Sequence, residues 1–301
     1  MHYLIFLHGI GSGSNQKDYE SMFKIISNKL PQDKKDNLKK IGIYWNDVVE
    51  QVEEDIFDSM FDKKGNKNFA LLQLIKVIPK LREFLTFWVG DSIAYTAEND
   101  NGIRSKVWRT LSTEILKMQP DDKYSIIAHS LGSVIAFDYL FKLFIKDTLL
   151  HPGEFPETDS KILDNYKNKF CHFFTMGSPI SLFLLRQGKL YQKKSGNFLI
   201  QKETKNFDNL ISPVLIDKNL PIEFNRTWFN FCDTEDIISF PLNNIFDRNK
   251  DNKVGEFYPK DTILPKDVFV ETGDVVIDSH EDYWVSDEVT DLIVKSLFNY
   301  I

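Results

Sequence analysis

Tyr124-Ser125-Ile126-Ile127-Ala128-His129-Ser130-Leu131-Gly132-Ser133-Val134-Ile135-Ala136-Phe137-Asp138 is the stretch whose reading decides the fold. Its first five residues, with β-branched Ile126 and Ile127 at the centre, have the composition of a short buried strand. From Leu131 the period changes: Leu131, Val134, Ile135, Asp138 and Tyr139 fall at helical spacing. Between the two lies Ala128-His129-Ser130-Leu131-Gly132, one substitution from the G-x-S-x-G nucleophile elbow. A serine hydroxyl is a poor nucleophile, so it must be lifted out of the backbone at a sharp strand-to-helix turn. There a histidine can reach it and the N-terminus of the next helix faces the developing negative charge. The turn needs small residues two before and two after the serine, and Ala128 and Gly132 supply them. Alone, the motif is matched about equally well by a plain strand–turn–helix with an incidental serine, so the rest of the chain decides.

Upstream, His2 to Leu7 is an apolar run ending in His8-Gly9-Ile10-Gly11-Ser12-Gly13, with a helix expected around Tyr19 to Leu30. Lys34 to Lys40 reads as a polar connection and Ile41 to Trp45 as a second strand, followed by a helix through Val48, Val52, Ile56 and Met60. Phe69 to Val89 is the most apolar segment, helical in pattern with one polar face through Gln73, Lys76, Lys80 and Glu83 and a kink at Pro79. Another helix is expected from about Ile103 to Met118. Downstream, the elbow helix should run to about Lys146, and Lys169 to Met176 is a further buried strand ending in Gly177-Ser178-Pro179. Residues 181–225 read as a long polar insertion, and Arg226 to Phe231 as a strand running into Cys232-Asp233-Thr234-Glu235-Asp236. Val268 to Ile277 predicts one or two strands, and Ser286 to Tyr300 a terminal helix. Strands alternating with helices predict an α/β fold: one domain over residues 1–301, with a mostly parallel central sheet covered by helices on both faces. A helical cap is expected at about 48–118 and a second insertion at 181–225.

Composition narrows the options. Apolar residues make up 42% of the 301, with 25 phenylalanines, enough for a large packed core. The net charge is −7 and the lysines are scattered, which argues against nucleic acid as a partner. The two cysteines, Cys171 and Cys232, suggest neither a disulfide framework nor a metal site. Met1 leads almost directly into a strand without a basic n-region, and no apolar stretch is long enough to span a bilayer. These features predict a cytoplasmic protein without a transmembrane segment.

In a parallel α/β sheet, ligands bind beyond the carboxyl ends of the strands. Those ends deliver His8-Gly9, Ser130, Gly177-Ser178, Asp233 to Asp236 and, after the last strand, His280. A serine nucleophile needs a base, the base an orienting carboxylate, and the oxyanion two preorganised donors. Of six histidines, His129 should point away from the serine, His172 lies within a strand, His151 far along a loop and His2 at the terminus. His280, on the connection between the last strand and last helix, is the candidate base. Asp236 is the candidate acid, with Asp233 in reserve. The backbone N–H groups of Leu131 and Ile10 are the candidate oxyanion donors, each worth about 3 kcal/mol of barrier lowering. His8, Gly9, Gly11, Gly132 and Ser178 should line the site. Competing readings fit less well. In Gly9-x-Gly11-x-Gly13 the third glycine comes too early for a dinucleotide loop, and His280-Glu281-Asp282 lacks partner ligands at metal spacing.

Taken together, the His8-to-Ser12 loop, the 128–135 elbow, Thr175-Met176-Gly177-Ser178-Pro179, the 228–238 segment and Ser279-His280-Glu281-Asp282-Tyr283-Trp284 resemble the α/β-hydrolase superfamily. The resemblance is strongest to serine lipase and esterase branches that open on the oxyanion-loop strand. It implies a carboxylic-ester hydrolase with triad Ser130, Asp236 and His280, no cofactor and no metal. The substrate would be a small-molecule or lipid ester. Two departures stand out: Ala128 replaces a glycine, and Ile237 follows Asp236 where many relatives have proline. The same triad serves thioesterases and acyltransferases, and the same fold serves as a silent binding module. The apolar face of 69–89 suggests a cap that lines an acyl pocket or makes peripheral contact with a membrane.

Overall fold

The computed structural model describes residues 1–9, 15–45, 102–144, 160–184, 190–192, 198–200, 227–243, 265–273 and 276–297. In chain order they form β1 (His2–Leu7), α1 (Asn15–Lys29), α2 (Gln32–Lys35), β2 (Leu38–Ile43), α3 (Ile103–Leu116), β3 (Lys123–His129), α4 (Leu131–Phe144), α5 (Ser160–Lys169) and β4 (Phe170–Met176). There follow α6 (Ile180–Leu184), the short antiparallel pair β5 (Leu190–Gln192) and β6 (Phe198–Ile200), then β7 (Thr227–Cys232) and β8 (Pro265–Phe269). The chain then forms α7 (Val276–Glu281), a 3-10 turn at Asp282–Trp284, and α8 (Asp287–Leu297).

Six strands form one sheet in the order β2-β1-β3-β4-β7-β8, every neighbouring pair parallel. Strand residues alternate between faces, and the core divides accordingly. Ile5 and Leu7 of β1 and Tyr124, Ile126 and Ala128 of β3 pack with α3, α4 and Tyr166 of α5 on one face. Leu4, Phe6 and Ile127 pack with Met22 and Ile26 of α1 and Val289, Ile293 and Leu297 of α8 on the other. Trp108, Tyr139, Trp228 and Tyr283 are fully buried, each contributing roughly 1.5–3 kcal/mol through apolar burial. Lys29 of α1 joins Asp287 and Asp291 of α8 at 2.7 Å each, tying the first helix to the last. With a sharp strand-to-helix turn between β3 and α4, this is an α/β fold whose parallel central sheet is covered by helices on both faces.

Three elements differ from the sequence expectation. β2 begins at Leu38, three residues early, so half of the expected polar connection is strand. It is an edge strand, and its lysines lie over aromatic rings: Lys39 over Tyr3, and Lys40 over Tyr19 and Phe23. The 268–277 segment holds the end of one strand and the start of α7 rather than a second strand. Finally, α3 buries Ile103, Val107, Trp108, Leu111 and Ile115 in the core, so this part of the expected 48–118 cap is sheet-covering helix. Residues 48–101, including 69–89, and most of the 181–225 insertion lie outside the described residues. Both cysteines are buried free thiols.

Candidate active site

Ser130 sits at the tip of the central strand β3 with φ of 52°, the single non-glycine residue with positive φ among the described residues. That conformation costs an L-residue roughly 1–3 kcal/mol and persists because its surroundings fix it. The Ser130 N–H donates to the Met176 carbonyl of β4 at 3.0 Å, and the Ser130 carbonyl accepts from the Ser133 N–H at 2.9 Å. The Ser133 hydroxyl donates to the same carbonyl at 2.6 Å. Its one proton being used there, Ser133 Oγ accepts from the Ser178 hydroxyl at 2.8 Å. Ser178 is thus a buried brace behind the elbow.

Two glycines make the close approach feasible. A Cβ on Gly132 would lie 2.3 Å from the His8 carbonyl oxygen, so α4 starts against the backbone of β1. A Cβ on Gly9 would lie 2.3 Å from Ser130 Cβ and 3.0 Å from its Oγ. The Ser130 hydroxyl is buried, and its Oγ has no hydrogen-bond partner among the described residues. A buried hydroxyl left without a partner is costly in a purely structural role.

The residues after β7 and β8 supply the second half. His280 Nδ1 lies 2.9 Å from Asp236 Oδ2, and both side chains are buried. Burial by itself would raise Asp236, but the His280 hydrogen bond and charge, with the Ile238 N–H on Oδ1 at 3.0 Å, hold it below the usual carboxylate range. Gly177 lies against the pair: with φ of 54°, its Cβ would meet Asp236 Oδ2 at 2.8 Å and His280 Nδ1 at 3.0 Å. Only glycine suits both the conformation and the space. Because Met176 receives the Ser130 N–H, the end of β4 links the serine to the His–Asp pair.

Asp233 has a different environment. Its Oδ1 accepts from the Glu235 N–H at 2.8 Å, and its Oδ2 from the Thr272 N–H and hydroxyl at 2.5 and 2.8 Å. It pins the segment after β8 to the end of β7. His280, expected on a loop, lies in the one-and-a-half-turn helix α7. His129 does not face away from the site as a bystander. Its Nε2–H donates to the His280 carbonyl at 2.5 Å and its ring stands 4.6 Å from the His280 ring. Burial, then the nearby His280, push His129 down to about 3, so it stays neutral. His8 Nδ1–H donates to the Gly9 carbonyl at 2.6 Å, and its ring stacks on Trp45; burial pushes it down to about 4. Leu131 opens α4, where its N–H belongs to the helix N-terminus. Ile10 and Gly11 lie outside the described residues.

The structure gives roles to Ser133, Thr272 and Tyr283, which sequence reading left without one, and to Gly177, which it named only as a strand end. Tyr283 donates its hydroxyl to Asp236 Oδ2 at 3.1 Å and accepts the Asp233 N–H at 2.8 Å. The signal for it was the aromatic pair Tyr283-Trp284 directly after the candidate base. Among the described residues no cluster of potential metal ligands forms, and no helix is long and apolar enough to cross a membrane.

No protein-family model and no curated protein sequence matches the chain. It is similar to solved structures of Est1E from Butyrivibrio proteoclasticus. The ferulic acid-bound form is 9% identical, covers 99% of this chain and 90% of that chain, and has a TM-score of 0.44. A second Est1E structure is 10% identical over 98% of this chain and 88% of that chain, with a TM-score of 0.36.

Proposed function

We propose that the chain is a serine hydrolase acting on carboxylic esters, of lipase, phospholipase or carboxylesterase type. Ser130 is the nucleophile, His280 the general base and Asp236 its orienting acid. The observation that carries this reading is the buried Ser130, held at φ of 52° with its hydroxyl unpartnered, next to the strand end that backs the His280–Asp236 pair. Protein backbone is strained, and a buried hydroxyl left unbonded, where function requires both.

The chemistry is acyl transfer. With Nδ1–H directed to Asp236, His280 Nε2 is the basic nitrogen and takes the Ser130 proton as Oγ attacks the ester carbonyl. The tetrahedral oxyanion is stabilised by the N–H groups of Leu131 and Ile10. His280 then protonates the departing alcohol, and water activated by the same imidazole resolves the acyl-enzyme. His8 and Trp45 fix the end of β1: His8 bonds the Gly9 carbonyl, and Trp45 Nε1 donates to the His8 carbonyl at 3.3 Å.

Fluorophosphonate labelling of the purified protein tests the reading. Labelling should be present in the parent, vanish in Ser130→Ala and fall sharply in His280→Ala. A folded parent that does not label would overturn the assignment. For an active protein, a panel of acyl esters, phospholipids and acyl thioesters of graded chain length then assigns the substrate class.

A further inference from the structure

We infer that Tyr283 is a positioning residue that limits how strongly Asp236 pulls on His280, through its hydrogen bond to the carboxylate oxygen that also receives the imidazole. The inference rests on the Ser130–His280–Asp236 reading above. Three observations lead to it. Tyr283 Oη and His280 Nδ1 approach the same atom, Asp236 Oδ2, at 3.1 and 2.9 Å. The phenol oxygen already accepts the Asp233 N–H at 2.8 Å, so its single proton is directed at Asp236. The ring is fully buried in the core that also holds Trp284 and α8, which fixes the angle of donation.

The consequence follows from charge. Two donors on one carboxylate oxygen share its electron density, so each weakens the other's hold. The phenol therefore shields part of the negative charge that would otherwise stabilise a protonated His280. A base bound too tightly to its proton cannot return it to the leaving group, so a tempered carboxylate suits a residue that must alternate between base and acid. Tyr283 itself stays protonated, because burial and the adjacent Asp236 both push its phenol up.

The other titratable groups around the pair cannot imitate this effect among the described residues. His129 of β3 and His8 of β1 are pushed down to about 3 and 4 by burial. The Cys232 thiol of β7 is pushed up to about 12, again by burial. Asp233 is committed to the amides of Glu235 and Thr272.

The test measures the second-order rate of fluorophosphonate labelling from pH 5 to 9. The parent, Tyr283→Phe, and a protein carrying 3-fluorotyrosine at position 283 are compared. Phenylalanine removes the donor, so the acidic limb of the profile should move up by about half to one pH unit. Labelling at pH 6 then falls roughly three- to tenfold while the alkaline plateau changes less. The fluorinated, more acidic phenol donates more strongly and should move the limb down. Some loss of thermal stability is expected in Tyr283→Phe, since the Asp233 N–H loses its acceptor. Should that variant not fold, the fluorotyrosine protein decides alone by the direction of its shift. A limb unmoved in the folded variants, with rates lowered equally at every pH, would mean that Tyr283 only packs, and would overturn the inference. A parent inert at every pH would instead overturn the hydrolase reading on which it rests.

Discussion

The two ends of the sheet both bury histidines, and they use them differently. At the amino ends, His2 of β1 meets the Ser125 hydroxyl of β3 at 2.9 Å, and His172 of β4 meets the Thr227 hydroxyl of β7 at 2.7 Å. Each partner stands on a neighbouring strand, in a geometry the sheet itself dictates. Nearby, Lys169 donates to the Gln119 and Pro120 carbonyls, and Asp122 accepts from the Gln119 N–H. At the carboxyl ends, His280 meets a carboxylate delivered by a segment 44 residues away, beside a serine in a conformation few residues adopt. His2 and His172 are pushed down to about 3 and 4 by burial, as are His129 and His8 at the upper end. Among the described histidines, His280 is the one set against a carboxylate. A buried histidine is thus ordinary in this protein, and what distinguishes the candidate base is its partner.

The comparison is broken most severely by Ser130→Ala, which should abolish fluorophosphonate labelling and lower ester turnover by about 10³-fold or more, with little change in Tm. At the other end, His2→Ala should lower Tm and leave labelling of the folded fraction intact. Asp236→Asn should cost about 10³–10⁴-fold in kcat/KM by disturbing the His280 tautomer. Asp233→Asn should cost less than about tenfold in rate, with the loss appearing in thermal melts. Equal losses of activity would return Asp233 to contention as the acid. Gly177→Ala sets a Cβ 2.8 Å from Asp236 Oδ2 at a φ that alanine resists, so about 2–4 kcal/mol of stability should be lost in chemical denaturation.

Acid sensitivity tests the histidines that the two ends share. His2, His8, His129 and His172 bind protons in the unfolded chain near their ordinary value of 6.5, but in the folded protein only at about 3–4. The unfolded state therefore takes up more protons as pH falls. Stability is complete above about 6.5 and declines below it, by about 1.4 kcal/mol per pH unit for each histidine, until the folded values are reached. Urea unfolding at pH 7, 6 and 5 measures the slope. Replacing His2 and His172 by asparagine should flatten it without altering the pH profile of labelling.

Much of this architecture is legible in the chain because the central strands are rich in apolar residues, with Ile126-Ile127-Ala128 and Phe173-Phe174 at their centres. Lys123–His129 and Phe170–Met176 are buried on both faces, and the elbow's change of period marks where one element ends. The edge strand β2 hid its first half because only one side of it is covered, so Lys39 and Lys40 look like a loop. The candidate base and acid could be proposed from their positions at strand ends. Sequence alone cannot weigh Asp233 against Asp236, since two carboxylates three residues apart differ only in what reaches them from elsewhere. Tyr283 and Gly177 escaped for the same reason. Their roles lie in contacts with Asp236 across 47 and 59 positions of the sequence, and no local pattern encodes such a contact.

The Lys29 bridge to Asp287 and Asp291 has a consequence for the order in which the protein comes into being. On the ribosome, Ser130 is made long before Asp236, and Asp236 before His280. The elbow strand can pair with β1 early, yet the emerging chain carries Ser130 before the His280–Asp236 pair exists. Only when α8 is released can it dock on α1, closing the layer against which Tyr283 and Trp284 are buried. The buried setting of the His280–Asp236 pair is therefore completed only after α8 emerges, by the topology of the fold.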